Sequence, residues 1–233
     1  MRDGGRLTAA IEVITDIETR HKPVKMALKN WGEGARYAGS KDRAWISGLV
    51  LDVLRRRRSL GWRMGDASPR AGALAALRFD WDWPLERLAD AAGEEVHGHG
   101  ALTPAEQSAL GAPRDLTAAP PAVRGDYPDW LEPGFARAFG ETASAEGAAL
   151  AERAPVDLRV NLIKADPARG AKALAPLGVI PAGVLPTAFR IPAPAASDRA
   201  RLVSSPIVQA SERRRRRTSS TRPETKARSF EPA

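Results

Sequence analysis

A chain of 233 residues, 43% hydrophobic and 27% charged, is long enough for one or two domains with real cores and has the composition of a soluble globular protein. It has no uninterrupted apolar stretch near the ~20 residues of a membrane span, no apolar signal region at its start and no cysteine. These features exclude disulfides, thiolate metal sites and cysteine nucleophiles, and make the cytoplasm the expected compartment. The net charge of +8 points to a polyanion, but residues 213–233 hold eight of the 36 Lys and Arg against two of the 28 acids, so they carry +6 and leave +2 for residues 1–212.

The first ninety residues read as helices. Leu7, Ala10, Ile11, Ile14 and Ile17 recur at helical spacing opposite Glu12, Asp16, Glu18 and Arg20. After Pro23, a second apolar stripe of Val24, Ala27, Leu28 and Trp31 stops at Gly32 and Gly34. Ser40 is a candidate cap for a third helix, and Ile46, Leu49, Val50, Val53 and Leu54 give that helix the most hydrophobic face in the chain. It is the expected centre of an all-helical domain, and it ends in Arg55-Arg56-Arg57-Arg58. Cations there complement the helix dipole, but four in a row span a full turn and cannot share one face. Two readings stay open: a solvated helix end, or contact of part of the cluster with a polyanion. Pro69 opens a further helix carrying Leu74, Ala75 and Leu77 and running to Trp83-Pro84, and Leu85, Leu88 and Ala89 mark another. Five of the six Trp and one of the two Tyr precede residue 84, and in a helical domain such aromatics are expected in the core.

Composition then shifts to Gly, Pro, Ala and Glu, so residues 93–126 are the expected linker. His97 and His99 lack the further ligands a metal needs, which predicts a mobile loop, and Thr103 with Glu106 forms a capping box inside it. From Asp129 a helical pattern returns through Trp130, Leu131, Phe135 and Phe139 to a stop at Gly140, and an Ala-rich helix follows over about 143–153. In residues 154–164, Val156, Leu158, Val160 and Leu162 alternate with Asp157, Arg159 and Asn161, which predicts a strand with one buried face. Arg159, Asn161 and Lys164 would then face a polyanion, or simply be the wet side of an ordinary strand. Asp166 and Pro167 cap and start a helix that carries Ala171, Leu174 and Leu177 and stops at Gly178; Val179-Ile180 and Phe189-Arg190-Ile191 are strand candidates. Strand, helix, strand, strand is half of a ferredoxin-like or RNA-recognition-like unit.

The run Arg-Val-Asn-Leu-Ile-Lys at 159–164, preceded by Tyr127-Pro-Asp-Trp-Leu-Glu-Pro and followed by a helix, resembles the segment ahead of the catalytic domain in the RsmB/NOP (Sun, Fmu) RNA cytosine-C5 methyltransferases. Ser40-Lys-Asp-Arg-Ala-Trp through Arg58-Ser-Leu-Gly-Trp is similar to a helix of their NusB-like domain. The resemblance covers about 7–212 and is strongest over 127–164. It implies a mainly α protein: a NusB-like all-helical RNA-binding domain over 1–92, a linker over 93–126, a helical connector with a small, incomplete α/β RNA-recognition-like domain over 127–212, and a disordered Arg-rich tail over 213–233. It also implies structured ribosomal RNA as partner, with Arg36, Lys41, Arg43, Arg55, Arg56, Arg57, Arg58, Arg159, Asn161 and Lys164 as the candidate RNA contacts, and no membrane or metal.

The resembling enzymes use S-adenosylmethionine, held at a glycine-rich turn, and two cysteines. Neither feature is in this sequence, so no catalytic or cofactor-binding residue carries over and the chain is expected to be inactive alone. Two other classes stay open: a stand-alone NusB-like antitermination module, and a protein-interaction domain without RNA affinity. Where the family continues into its catalytic domain, this chain turns to Arg213-Arg-Arg-Arg-Arg. With GC-rich codons, Thr225-Lys-Ala-Arg-Ser shifted by one base encodes Asp-Glu-Gly-Ser-Gln, which resembles the family's residues at that place. The expectation is an out-of-frame end from about residue 213; a genuine basic arm is the alternative.

Overall fold

The computed structural model describes residues 1–183 and 185–193. The expected disordered tail, the shifted frame and the end of the expected α/β segment lie outside the described residues. Within them the protein is mainly helical, with a small three-stranded antiparallel sheet. None of the described helices is long and apolar enough to cross a membrane.

Helices α1 (Asp3–Arg20), α2 (Val24–Gly34), α3 (Ser40–Arg55), α4 (Arg57–Met64) and α5 (Pro69–Ala75) follow in order, and α5 continues as a π turn over Ala76–Asp80. The predicted face of α3 is the centre: Ile46, Leu49, Val50 and Val53 pack with Leu7, Ile11 and Ile14 of α1 and with Leu74 and Leu77. Each aliphatic side chain fully removed from water there contributes about 1.5–3 kcal/mol. Ser68 caps α5 by accepting the Ala71 amide, with Pro69 in the first helical position. Trp45 meets Trp81 edge-to-face at 5.2 Å and Trp83 at 5.9 Å, so these three tryptophans are core as expected.

The segment expected as a linker is part of this helical body. After α6 (Leu85–Ala92), the chain turns back on α1: the Gly4 amide donates to Glu94 Oε2 at 3.1 Å and the Thr8 hydroxyl to the His97 carbonyl at 2.8 Å. Helix α7 (Pro104–Gly111) has the predicted capping box, and its Leu110, with Leu102, is buried in the common core. Arg70 closes the loop by holding Glu106 at 2.6 Å and donating to the carbonyls of His99, Gly100 and Ala101. Glycine and proline supply turns here, and Leu102 and Leu110 reach the core, with Ala109 packed against it.

A short helix α8 (Pro121–Arg124) leads to Asp126, whose backbone sits at φ 54. Its Oδ1 accepts the amides of Arg58 at 3.1 Å and Ser59 at 2.8 Å, and its Oδ2 accepts the Ser59 hydroxyl at 2.6 Å. The first turn of α4 is thus capped by a residue far along the chain. Helices α9 (Glu132–Phe139) and α10 (Ala143–Ala151) follow, with Gly140 at φ 56 between them. Arg153 then reaches back to Asp52 of α3, Nε to Oδ1 at 2.7 Å and Nη2 to Oδ2 at 2.6 Å, while the Trp81 indole donates to the same Oδ2 at 2.8 Å. A carboxylate only 2% exposed is thereby matched by a bidentate guanidinium.

The sheet contains β1 (Val156–Arg159), β2 (Ile180–Pro181) and β3 (Ala188–Ile191) in the order β1-β3-β2, with α11 (Pro167–Leu174) between β1 and β2. Both pairings are antiparallel, with Val156 opposite Ile191 and Ile180 opposite Arg190. As predicted, Asp166 caps α11 by accepting the Arg169 amide at 2.8 Å. The first strand is shorter than its alternation predicts. It stops at Arg159 with none of its residues fully buried; Val160, just past its end, is buried, and Leu162 and Ile163 are 60% and 95% exposed. Asn161 ends it: its side-chain oxygen accepts the Ile163 amide and its carbonyl the amides of Lys164 and Ala165, a local turn that competes with the ladder.

Candidate nucleic-acid interface

The ten basic and polar candidates fall into three groups. Arg55, Arg56, Arg57 and Arg58 straddle the break between α3 and α4, so their side chains leave in four directions, and each meets an acid. Arg55 lies 3.3 Å from Asp52, Arg56 2.6 Å from Asp80 and Arg57 3.0 Å from Glu18. Arg58 bonds Asp129 and the Tyr127 carbonyl, each at 2.5 Å. These arginines knit α1, the π turn and the connector to the α3–α4 corner. Sequence spacing predicted their divergence but not the acids waiting for them, which come from distant parts of the chain.

Arg43 is also internal. Its Nε donates to the Ala38 carbonyl at 2.9 Å and its Nη2 to the Ala35 carbonyl at 3.0 Å, fixing the turn between α2 and α3. It lies over Gly32, where a Cβ would stand 2.6 Å from Nη1, so a larger residue there would displace the guanidinium. Asn161 serves the turn after β1, as described above.

Arg36 and Lys41 are the first pair left for a partner. Both are exposed, and neither has an ion-pair or hydrogen-bond partner among the described residues. They flank Tyr37, whose ring is 74% exposed. The expectation that early aromatics are core fails here, because Tyr37 sits in the Gly34–Ser40 turn, where no helical periodicity carries it inward. A signal was present: the turn holds Arg36, Tyr37 and Lys41 within six positions, the interleaving of cations and an aromatic used for nucleotide stacking. Arg159 and Lys164 form the second pair, exposed without partners beside Leu162 and Ile163 at the end of β1.

Chemically, these two groups can neutralise phosphates and stack a base. The described strand-to-helix turn, residues 160–166, contains no glycine, and Asp166 occupies the α11 cap. Among the described residues no group of three or more His, Asp or Glu is arranged to hold a metal. No family model matches the chain, and no curated protein is significantly similar to it.

Proposed function

We propose that this chain is the RNA-binding N-terminal region of an S-adenosylmethionine-dependent ribosomal RNA (cytosine-C5) methyltransferase, without the catalytic domain. The reading starts from the resemblance in the order of parts. The observation that carries it is the separation of the cations. Those of the Arg55–Arg58 run are neutralised internally, while Arg36 and Lys41 are left exposed around a bare tyrosine ring. The β1-α11-β2-β3 order, with β3 between the other two strands, is compatible with the first half of an RNA-recognition-like unit. The body would hold a structured ribosomal RNA through its backbone and an unpaired base, and the cofactor chemistry would belong to a domain this chain does not carry.

The test is RNA binding against salt for residues 1–212, with the +6 segment removed, using a ribosomal stem-loop and a scrambled control. Preferential binding of the stem-loop, weakened in Arg36→Gln/Lys41→Gln with a salt slope smaller by about 0.7–0.9 per lost phosphate contact, is the expected result. No binding without residues 213–233 would refute it.

A further inference from the structure

Beside Tyr37 lies a cavity of about 1040 Å³, bounded by one face of α1, the 94–98 loop and Tyr37 itself. Its floor is Gly5, Thr8, Ala9 and Glu12, the i, i+3, i+4, i+7 positions of α1, where three small residues leave a flat trough and the fourth supplies a carboxylate. The facing wall is held in place: Thr8 donates to the His97 carbonyl, and the Gly98 amide to the Glu94 carbonyl at 2.8 Å. A Cβ at Gly98 would stand 2.5 Å from the Ala92 carbonyl, so the loop closes only with glycine there. The cavity is thus built by the fold.

Its chemistry is specific. Glu12 is exposed and has no partner among the described residues. Glu94 Oε1 is buried without a hydrogen bond, with only the Arg2 guanidinium 3.8 Å away, and the Arg2 side chain is 83% exposed. Two carboxylates repel phosphate from the interior. Arg2 lines the cavity, and Arg36 and Lys41 are exposed cations close in sequence to Tyr37, which also lines it. The ligand these features match has a flat face for Tyr37, two adjacent N–H donors for one carboxylate, and a phosphate held outside. Of the four RNA bases only guanine presents two adjacent donors, N1–H and N2–H, on its pairing edge; adenine, cytosine and uracil each put an acceptor beside the donor, against the carboxylate. In a duplex that edge is occupied.

We propose that this cavity takes the base of an unpaired guanine nucleotide in RNA, with Glu12 reading N1–H and N2–H, Tyr37 stacking on the ring and Arg2, Arg36 and Lys41 outside on the phosphates. The proposal rests on the RNA-binding reading above and names what the RNA must offer. The test uses the full chain and five-nucleotide RNAs of uridine with guanine, inosine, adenine, cytosine or uracil in the centre. Guanine should bind at least about 10-fold more tightly than adenine, with inosine, which lacks N2–H, in between. Glu12→Gln should reduce the guanine preference over the other four RNAs to within about twofold. Tyr37→Ala should weaken every sequence by about 5-fold or more.

Equal binding of all five RNAs, or a guanine preference that survives in Glu12→Gln, would overturn the proposal. If all five still bind, and Arg36→Gln/Lys41→Gln weakens them equally, the RNA-binding reading stands and the guanine cavity alone falls. If none binds, both fall. Binding of argininamide that is lost in Glu12→Gln, with no binding of guanosine monophosphate, would assign the cavity to a cationic peptide side chain and also overturn the proposal.

Discussion

Replacing Asp126 separates a structural cap from a buried charge. Asp126 accepts the amides of Arg58 and Ser59 and the Ser59 hydroxyl, and Ser59 is 4% exposed. Asp126→Ala removes both acceptor oxygens and with them all three hydrogen bonds. Loss of a helix cap costs about 0.5–2 kcal/mol, and a buried donor left without a partner about 1–3 kcal/mol, so a loss of about 2–4 kcal/mol is expected. Asp126→Asn keeps an acceptor for both amides, can donate to the Ser59 oxygen and tolerates φ 54, so it should stay within about 1 kcal/mol of the parent at neutral pH.

The two variants also differ in pH dependence. Burial pushes the Asp126 carboxyl above its ordinary value, outweighing hydrogen bonds from Ser59 and the charge of Arg56. A raised folded-state value means that the folded protein holds this proton more tightly than the unfolded chain. The contribution to stability is therefore complete below the unfolded value and is lost as pH rises through the folded one. Urea unfolding followed by tryptophan fluorescence, from pH 3.5 to 7.5, should show Asp126→Asn gaining on the parent as pH rises through that window. An Asp126→Ala variant within about 0.5 kcal/mol of the parent, or a parent-to-Asn difference flat in pH, would refute the capping argument.

Changing Arg55–Arg58 together to Gln should lower stability by about 1–3 kcal/mol, chiefly by removing Arg56 from the buried Asp80, and should leave the RNA salt slope nearly unchanged; Arg36→Gln/Lys41→Gln should do the reverse. An unchanged urea midpoint in the quadruple variant would contradict the pairing. Leu110→Ala should cost about 2–4 kcal/mol in a single cooperative transition, where a linker residue would cost almost nothing. Burial works to raise Glu106, but hydrogen bonds from Arg70 and Thr103 outweigh it and leave its carboxyl below its ordinary value. Its contribution is present above the unfolded value and lost as pH falls through the folded one. Glu106→Gln should accordingly cost about 1 kcal/mol at neutral pH and become silent in acid, read from the same unfolding series.

Local chemistry was legible in the sequence where one short stretch decides the outcome. The α1 and α3 stripes, the Thr103 and Asp166 caps and the glycine stops at 140 and 178 all rest on contacts within about one helical turn. What was not legible depends on residues far apart. The 93–126 segment is poor in apolar residues, but Leu102 and Leu110 meet a core assembled from α4, α5 and α6, which composition cannot reveal. Arg55–Arg58 have a cationic pattern, and only the folded chain supplies Glu18, Asp80 and Asp129 to neutralise them. The 154–164 alternation promised a longer strand than the sheet supports, because Asn161 turns the backbone before Leu162 can pair. Tyr37 was missed by treating all early aromatics alike, although its turn already set it apart from Trp45, Trp81 and Trp83.

The Asp52–Arg153 contact sets the order in which a nascent chain can finish folding. Asp52 lies at the heart of the first helices to emerge from the ribosome, yet its bidentate partner is made 101 positions later. Until Arg153 appears, the growing chain must either bury a carboxylate without that counter-charge or leave α3 unsealed. A gene fragment cut at residue 92 keeps Arg55 and Trp81 beside Asp52 but loses the bidentate guanidinium. A stretch that keeps both partners of this contact therefore runs past Arg153, to the doorstep of the sheet.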